Sequence, residues 1–300
     1  MDQDIIIIGG GPAGMTAALY ALRAGRRVLL LEADTCGGQI THTAQVDNYP
    51  GLPGVSGLEL ADRMLEQILD LGAVVEPDRA SALSRIAGGW RVTGEFGAYE
   101  APAVIYAAGT THRQLDVPGE AQRVGRGVSF CAVCDGAFYK DRSVAVVGGG
   151  NAALSDTRYL SGLCKQVTLI HRRDSFRAEQ AAVEAVRGLN NVTFLTPAQV
   201  TRIDGDEPVV LTLNTPDGTR TLEVDGLFEA VGQLPDTQLL RGLADLDETG
   251  YVLAGEDCKA SAEGLFAAGD CRAKSVRQLT TAVSDGAAAA LSACKYLQTL

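Results

Sequence analysis

The sequence of 300 residues lacks a long apolar run. Its first apolar stretch, Ile5 to Ile8, ends in glycines, and no later stretch reaches the roughly 18 residues that a membrane-spanning helix needs. The first stretch is also too short for the core of a secretory signal. We therefore expect a soluble, cytoplasmic protein with no membrane partner.

Basic residues are also scarce relative to acidic ones. The chain has 26 Lys and Arg against 37 Asp and Glu, a net charge of −11, and a sequence pI of about 4.8. A surface of this sign repels a phosphate backbone. We expect no nucleic-acid partner.

The 7 cysteines do not suggest a disulfide framework, because only Cys131 and Cys134 form a close pair. No second pair of cysteines or histidines stands at zinc spacing, so we predict no metal. This C-x-x-C favours dithiol chemistry, in which a thiolate attacks a disulfide or a flavin. Asp135 could pass a proton to or from that thiolate, although an ordinary turn aspartate would explain it nearly as well.

One arrangement of strand, glycine-rich turn, helix and strand occurs twice, at Ile5 to Glu32 and at Val144 to His171. The repeat predicts an α/β fold with two Rossmann-like dinucleotide-binding domains. Trp90 to Glu100 and Val209 to Val224 predict a β-meander in each, which gives a three-layer ββα arrangement. The tail from Gly264 holds a short strand and an apolar helix from about Leu279 to Leu297, and both should complete the first domain. We therefore predict a first domain of residues 1–112 and 244–300, with a second domain, 113–243, inserted into it.

The first repeat carries Gly9, Gly11 and Gly14 as G-x-G-x-x-G between a strand and a helix. These glycines permit a tight turn, close approach of a pyrophosphate and close packing of helix on strand, and the helix N-terminus favours an anion. Glu32, about 20 residues on, can bind ribose hydroxyls. We predict a dinucleotide site here, although a glycine turn that only joins two elements is the simpler alternative.

The second repeat carries Gly148, Gly150 and Ala153, and it differs where the next strand ends. In place of an acid it has a basic cluster, whose guanidinium groups can grip a 2′-phosphate that a carboxylate would repel. This pattern favours NADPH over NADH, and a solvated basic patch is the alternative. The cluster consists of His171, Arg172, Arg173 and Arg177.

Two dinucleotide sites and a dithiol suggest an electron path. NADPH supplies two electrons and a disulfide needs two, so FAD in the first site is the natural intermediary. The expected order is NADPH, FAD, dithiol.

The chain resembles the low-molecular-weight, bacterial-type thioredoxin reductases, class II of the pyridine nucleotide-disulfide oxidoreductases, over nearly its whole length. The matching segments are Gly9 to Gly14, Gly37-Gly38-Gln39, Asn48 to Gly51, Pro118-Gly119-Glu120, Cys131 to Gly136, Gly148 to Asn151, the His171 to Arg173 run with Arg177, Gly269-Asp270 and Arg277-Gln278. The resemblance implies that NADPH reduces FAD, FAD reduces the Cys131–Cys134 disulfide, and the dithiol reduces thioredoxin.

The motifs and the resemblance together assign the site residues. For FAD these are Gly9, Gly11, Pro12, Ala13, Gly14, Glu32, Gly38, Gln39, Asn48, Ala108, Gly109, Gly269, Asp270, Arg277, Gln278 and Leu279. For NADPH they are Gly148, Gly150, Asn151, Ala152, His171, Arg172, Arg173 and Arg177.

The resemblance also assigns the catalytic roles. It implies that Cys134 lies against the flavin, that Cys131 attacks thioredoxin, and that Asp135 is the acid. Arg126 and Phe138 match positions that touch thioredoxin in relatives. A homodimer and a rotation of the NADPH domain between half-reactions are implied, with hinges near Thr111 to Gln114 and Leu243 to Leu246.

The chain departs from the family pattern at a few positions. Relatives usually carry two glutamates where this chain has Ser155 and Asp156, and Ala137 and Val276 replace residues that are often aromatic. The first departure could weaken NADPH binding. A ferredoxin-dependent enzyme of the same fold, a dithiol oxidase and a redox-responsive FAD-binding module stay open as alternatives. The retained arginine cluster argues against the first, and the intact cysteine pair argues against the third.

Overall fold

The computed structural model describes all residues from 1 to 300. The chain divides into two compact units, which we call unit 1 (residues 1–111 and 234–300) and unit 2 (residues 112–233). The chain returns from unit 2 to unit 1 after residue 233, ten residues before the predicted boundary at Leu243. Leu240 and Leu243 pack in the core of unit 1, so the segment from 234 to 243 belongs to unit 1. The hinge at Leu243 to Leu246 stays a prediction.

The strands and helices have the following bounds in chain order. The strands are β1 (Ile5–Ile8), β2 (Val28–Glu32), β3 (Val74–Pro77), β4 (Ala82–Ile86), β5 (Gly89–Thr93), β6 (Ala98–Ala101), β7 (Ala103–Tyr106), β8 (Thr110–His112), β9 (Val128–Ser129), β10 (Ser143–Val147), β11 (Gln166–Ile170), β12 (Val192–Leu195), β13 (Gln199–Asp204), β14 (Val209–Thr215), β15 (Gly218–Val224), β16 (Gly226–Glu229), β17 (Gln233–Pro235) and β18 (Leu265–Ala267). The α-helices are α1 (Pro12–Arg23), α2 (Gly57–Asp70), α3 (Ala132–Asp135), α4 (Asn151–Ser161), α5 (Gln180–Arg187) and α6 (Leu279–Leu297).

Unit 1 is built on a parallel sheet of order β18-β7-β1-β2-β3. Successive side chains of a strand point to opposite faces, and both faces of β1 are apolar and buried. Ile5 and Ile7 pack with α1 and α6, whereas Ile6 and Ile8 pack with Trp90 and Val92 of the antiparallel meander β4-β5-β6. These contacts give the predicted three layers.

Unit 2 repeats this architecture on a parallel sheet of order β12-β11-β10-β16-β9. Val144 and Val146 pack with α4 and α5, and Ala145 and Val147 pack with the antiparallel meander β13-β14-β15. The strand residues alternate between the two cores as those of β1 do. The predicted α/β fold with two Rossmann-like units is confirmed.

The helices of unit 1 approach one another closely near the end of β1. A methyl group at Gly286 of α6 would overlap the carbonyl oxygen of Ala13 in α1. The long apolar helix predicted for the tail therefore completes unit 1. No helix of the chain is both long and apolar enough to cross a membrane.

A pair of buried carboxyl groups lies on the meander side of unit 2. Glu120 accepts hydrogen bonds from the amides of Leu115 (3.0 Å) and Val117 (3.2 Å), whereas both carboxyl oxygens of Glu229, at the end of β16, are buried without a hydrogen-bond partner. Both residues are at most 3% exposed. Because burial and Glu120 disfavour a second negative charge, the pKa of Glu229 rises to about 9. Glu229 therefore holds a proton in the folded protein at neutral pH.

Glu229→Gln should flatten the loss of stability as pH rises. Folded Glu229 holds a proton that the unfolded chain releases, so its contribution to the free energy of unfolding falls by up to about 1.4 kcal/mol per pH unit between about pH 4.5 and 9. Glutamine has a similar size and stays neutral at every pH, so it removes this proton uptake. Urea denaturation at several pH values would measure the two slopes. Glu223→Gln, an exposed change on β15, is the control, and equal slopes for wild type and Glu229→Gln would show that Glu229 is not protonated.

Candidate functional site

The first glycine motif forms the tight turn between β1 and α1. A methyl group at Gly14 would overlap the carbonyl oxygen of Gly9, and Gly9 itself has a φ of +105° against the backbone of Ala107. These contacts pack helix on strand, as the sequence predicts. At Gly11, the N-cap of α1, a methyl group would meet no atom within 4 Å. The N-terminus of α1 therefore faces open space beside Gly11.

Glu32 supports this glycine turn from the end of β2. Its Oε2 accepts a hydrogen bond from the Gly10 amide at 2.6 Å, and its Oε1 accepts one from the Asp34 amide at 2.9 Å. The amide of Gly37 donates to the Gly10 carbonyl at 2.8 Å, which brings Gly38 against the Cα of Gly11. The Glu32 carboxylate retains lone pairs for ribose hydroxyls.

The turn at Gly269 and Asp270 lies beside the first turn of α1. A methyl group at Gly269 would lie 2.8 Å from the Cβ of Ala13. The Oδ1 atom of Asp270 is buried and lies 3.3 Å from Lys274 Nζ, but it receives no aligned hydrogen bond. Burial raises the pKa of Asp270, and Lys274 and then Arg277 oppose that rise. This oxygen can accept a ligand hydroxyl.

The remaining residues predicted to contact FAD also lie in unit 1. Asn48 Nδ2 donates to Gln278 Oε1 at 3.3 Å, although 230 positions separate the two residues. Gln39 Nε2 donates to the carbonyl oxygen of Thr110 at 2.6 Å. Ala108 and Gly109 directly follow β7, and Pro12, Ala13 and Leu279 lie in the first turns of α1 and α6. Arg277 stacks on the ring of Tyr251 at 4.0 Å.

The second glycine motif forms the same kind of turn between β10 and α4, but a histidine packs against it where the first turn has Glu32. A methyl group at Gly148 would contact Ala153 Cβ at 2.6 Å, and one at Gly150, the N-cap of α4, would meet nothing within 4 Å. Beneath Gly149 lies the imidazole of His171, which is 9% exposed and stacks on Phe176. Burial lowers the pKa of His171. The imidazole therefore packs under the turn instead of facing the basic cluster.

Three arginines stay accessible next to this turn. Arg172, Arg173 and Arg177 are exposed, and none of them forms an ion pair with an acidic residue of the chain. The amide of Arg177 donates to the Gly149 carbonyl at 2.8 Å, which ties the cluster to the glycine turn. Asn151 and Ala152 begin α4 at the same place, and Asn151 Oδ1 accepts from the Glu179 amide at 3.0 Å.

Cys131 and Cys134 form a disulfide at the short helix α3, with their Cα atoms 5.3 Å apart. Ser129, at the end of β9, connects Asp135 to the pair. Its hydroxyl donates to Asp135 Oδ2 at 2.6 Å and accepts from the Cys131 amide at 3.1 Å. Burial raises the pKa of Asp135, and the Ser129 hydrogen bond opposes that rise. A carboxyl group thus lies one residue beyond the disulfide and is connected to the Cys131 amide through Ser129.

Sequence reasoning missed four residues of these sites. Ser129 orients Asp135, and Asp285 of α6 accepts a hydrogen bond from the amide of Gly269, directly before Asp270. Asp285 pairs with Arg272 at 2.7 Å and with Lys274 at 3.0 Å. A signal for Asp285 was present, because it is the sole charged residue from Leu279 to Cys294.

Comparison with known proteins agrees with these features. The family described as pyridine nucleotide-disulphide oxidoreductase matches residues 3–286. The chain belongs to this family. Membership implies a nicotinamide cofactor and a flavin, whereas no group of three or more His, Cys, Asp or Glu side chains is arranged to hold a metal ion.

Several similar proteins are named thioredoxin reductase. A thioredoxin reductase of Treponema pallidum is 42% identical over 305 residues, covering 100% of this chain and 98% of the relative. A thioredoxin reductase of Mycolicibacterium smegmatis is 42% identical over 300 residues, covering 98% and 96%. The crystal structure of the Streptococcus pyogenes thioredoxin reductase superposes with a TM-score of 0.96 at 38% identity, covering 99% of each chain.

Gly11→Ala should weaken flavin binding without lowering stability, whereas Gly14→Ala should lower stability. Gly11→Ala fills open space, so we expect unchanged thermal stability of the flavin-free protein and at least about tenfold weaker flavin binding, because backbone can no longer approach the pyrophosphate. Gly14→Ala meets the Gly9 carbonyl and should lower the free energy of unfolding by about 1–3 kcal/mol. Calorimetry and flavin absorbance measure both effects. Unchanged flavin affinity in Gly11→Ala would contradict the assignment of this turn.

Proposed function

We propose that this chain is an NADPH-dependent thioredoxin-disulfide reductase. The observation that carries the proposal is the Cys131–Cys134 disulfide beside Asp135, in the same unit as a glycine turn flanked by unpaired arginines. A second glycine turn in unit 1 provides a separate dinucleotide site. The sequence relatives at about 42% identity favour this activity over ferredoxin dependence or a dithiol oxidase.

FAD fits unit 1. The open N-terminus of α1 would bind the pyrophosphate, Glu32 would bind the ribose, and the buried Oδ1 of Asp270 would accept a ribityl hydroxyl. Gln39 and the Asn48–Gln278 pair would contribute further amide groups. When bound, FAD would accept two electrons from NADPH and deliver them to the disulfide.

NADPH fits unit 2. The N-terminus of α4 would bind the pyrophosphate at Gly150, and Arg172, Arg173 and Arg177 would bind the 2′-phosphate. His171 would support the glycine turn and not contact the phosphate, because its imidazole is buried against Gly149. Asp156, whose pKa burial raises to about 6, supplies a carboxyl group on α4 one position beyond Ser155.

The reduced cysteine pair would transfer two electrons by thiol–disulfide exchange. The thiolate of Cys131 attacks one sulfur of the partner disulfide, forms a mixed disulfide and releases the other sulfur as a thiolate. Cys134 then attacks Cys131 Sγ, which restores the Cys131–Cys134 disulfide and releases the second partner thiolate. Asp135, with its raised pKa, would hold the proton that a departing thiolate takes up.

Thioredoxin would bind at exposed groups around the pair. Val133 is 48% exposed between the two cysteines, and Phe138 is 44% exposed just beyond them. Arg126 is also exposed. Apolar side chains that stay accessible beside a reactive sulfur suit docking of another protein. We further propose that the enzyme is a homodimer and that unit 2 rotates between half-reactions.

Cys134→Ser should abolish thioredoxin reduction and preserve reduction of the flavin by NADPH. The variant retains both nucleotide sites but cannot close a disulfide, so turnover with thioredoxin should fall by roughly a thousandfold or more. Anaerobic stopped-flow absorbance and a thioredoxin-coupled assay measure the two steps. Cys164→Ala, which changes a free cysteine of unit 2, is the control. Equal loss of both steps in Cys134→Ser would contradict the proposed electron order.

Changing Arg172 and Arg173 together to Ala should raise the KM for NADPH and leave the KM for NADH nearly unchanged. A hydrogen bond to a charged group is worth about 1.5–3 kcal/mol, or roughly tenfold or more in affinity for each contact. Steady-state kinetics with both cofactors would measure the difference. Arg220→Ala on β15, an exposed arginine of the same unit, is the matched control. An equal rise for NADPH and NADH would rule out a 2′-phosphate contact.

A further inference from the structure

A buried charge network lies behind the turn that carries Asp270. Asp285 of α6 accepts a hydrogen bond from the Gly269 amide at 3.1 Å, and its carboxylate pairs with Arg272 at 2.7 Å and with Lys274 at 3.0 Å. The side chains of Lys274 and Asp285 are only 9% and 8% exposed. Such a pair is costly to bury and strongly destabilising to break, so its geometry is fixed.

Lys274 links this network to Asp270. Its Nζ lies 3.0 Å from Asp285 Oδ2 and 3.3 Å from Asp270 Oδ1, so one ammonium group serves two carboxylates. Arg272 alone would satisfy Asp285, because its Nε and its terminal nitrogen both donate to that carboxylate. The contact of Lys274 with Asp270 is therefore not needed to balance Asp285.

The surroundings of Asp270 otherwise disfavour its negative charge. Burial raises its pKa most strongly, and the Asp285 carboxylate adds to that effect. Lys274 opposes the rise, and so, more weakly, does Arg277, whose Nε donates to the Asp270 carbonyl. The neighbouring Cys271 is fully buried, with its pKa raised to about 12, and the Tyr251 ring lies under Arg277. Neither supplies a positive charge.

We propose that Lys274 is a positioning residue for the flavin: held by Asp285, it keeps the Asp270 carboxyl ionised and its Oδ1 directed for hydrogen bonds from ribityl hydroxyls. This inference rests on the proposed FAD site of unit 1. A carboxylate accepts at both oxygens, whereas the protonated acid has a donor at one of them. Loss of Lys274 would thus make FAD binding depend on pH.

The test is titration of flavin-free protein with FAD, with the Kd read from flavin fluorescence between about pH 5.5 and 8.5. For wild type we expect a Kd that is nearly constant over this range. For Lys274→Met and Lys274→Gln we expect a Kd at least about tenfold weaker at the acidic end, which recovers as pH rises because Asp270 then loses its proton. Lys274→Arg should restore the flat profile.

A double variant identifies the titrating group. Asp270→Asn combined with Lys274→Met should bind FAD weakly but with no pH dependence, because no carboxyl is left at position 270. Lys259→Met, which removes an exposed partner of Asp257, is the control and should resemble wild type. Glutamine at 274 can donate to both carboxylates, so Lys274→Gln provides a measurement if Lys274→Met does not fold.

The outcomes separate this inference from the proposed function. If wild type binds no FAD, the proposed function fails. If wild type binds FAD and both Lys274 variants keep its flat profile, or lose affinity equally at every pH, the positioning role fails and the proposed function stands. Persistence of the pH dependence in the double variant would also overturn the role, because another group would then be titrating.

Discussion

The site in unit 1 depends on the close approach of three backbone segments around the first turn of α1. Gly14 packs on the Gly9 carbonyl, Gly286 of α6 packs on the Ala13 carbonyl, and Gly269 packs on the Ala13 side chain. Any side chain at these glycines would push the segments apart. Close packing therefore brings the helix N-terminus, the Asp270 turn and the base of α6 into one region, although they come from opposite ends of the chain.

The two glycine turns show how one backbone shape can be supported by different chemistry. The middle glycine of the first turn, Gly10, receives the Glu32 carboxylate, which accepts a hydrogen bond from its amide. The middle glycine of the second turn, Gly149, lies over the buried imidazole of His171. Each supporting residue comes from the end of the next strand. An acid there leaves negative charge beside the turn, whereas His171 leaves room for the arginines that follow it.

Local patterns in the sequence predicted most of the fold. The strand at Ile5 to Ile8 and the helix from Leu279 to Leu297 have their predicted bounds, because apolar runs and glycine turns are set by neighbouring residues. The predicted end of unit 2 lies too far along the chain, because apolar residues such as Leu240 and Leu243 would suit the core of either unit. Only their packing in the folded chain assigns them to unit 1. Lys274 and Asp285 were missed because an ion pair between residues eleven positions apart, on a loop and a helix, has no periodic signature. Ser129 was missed for a similar reason, since its role depends on a hydrogen bond to Asp135 that forms only when the chain folds back after β9.

The interrupted course of unit 1 also constrains the order in which the protein can assemble during synthesis. Unit 2 is one continuous stretch, so all of its residues are synthesised before the last strand and helix of unit 1. The sheet of unit 1 gains its edge strand only with residues 265–267, and Asp285 follows later still. A nascent chain would therefore complete the inserted unit before the surrounding one, and the turn at Asp270 would gain its Asp285 partner only near the end of translation.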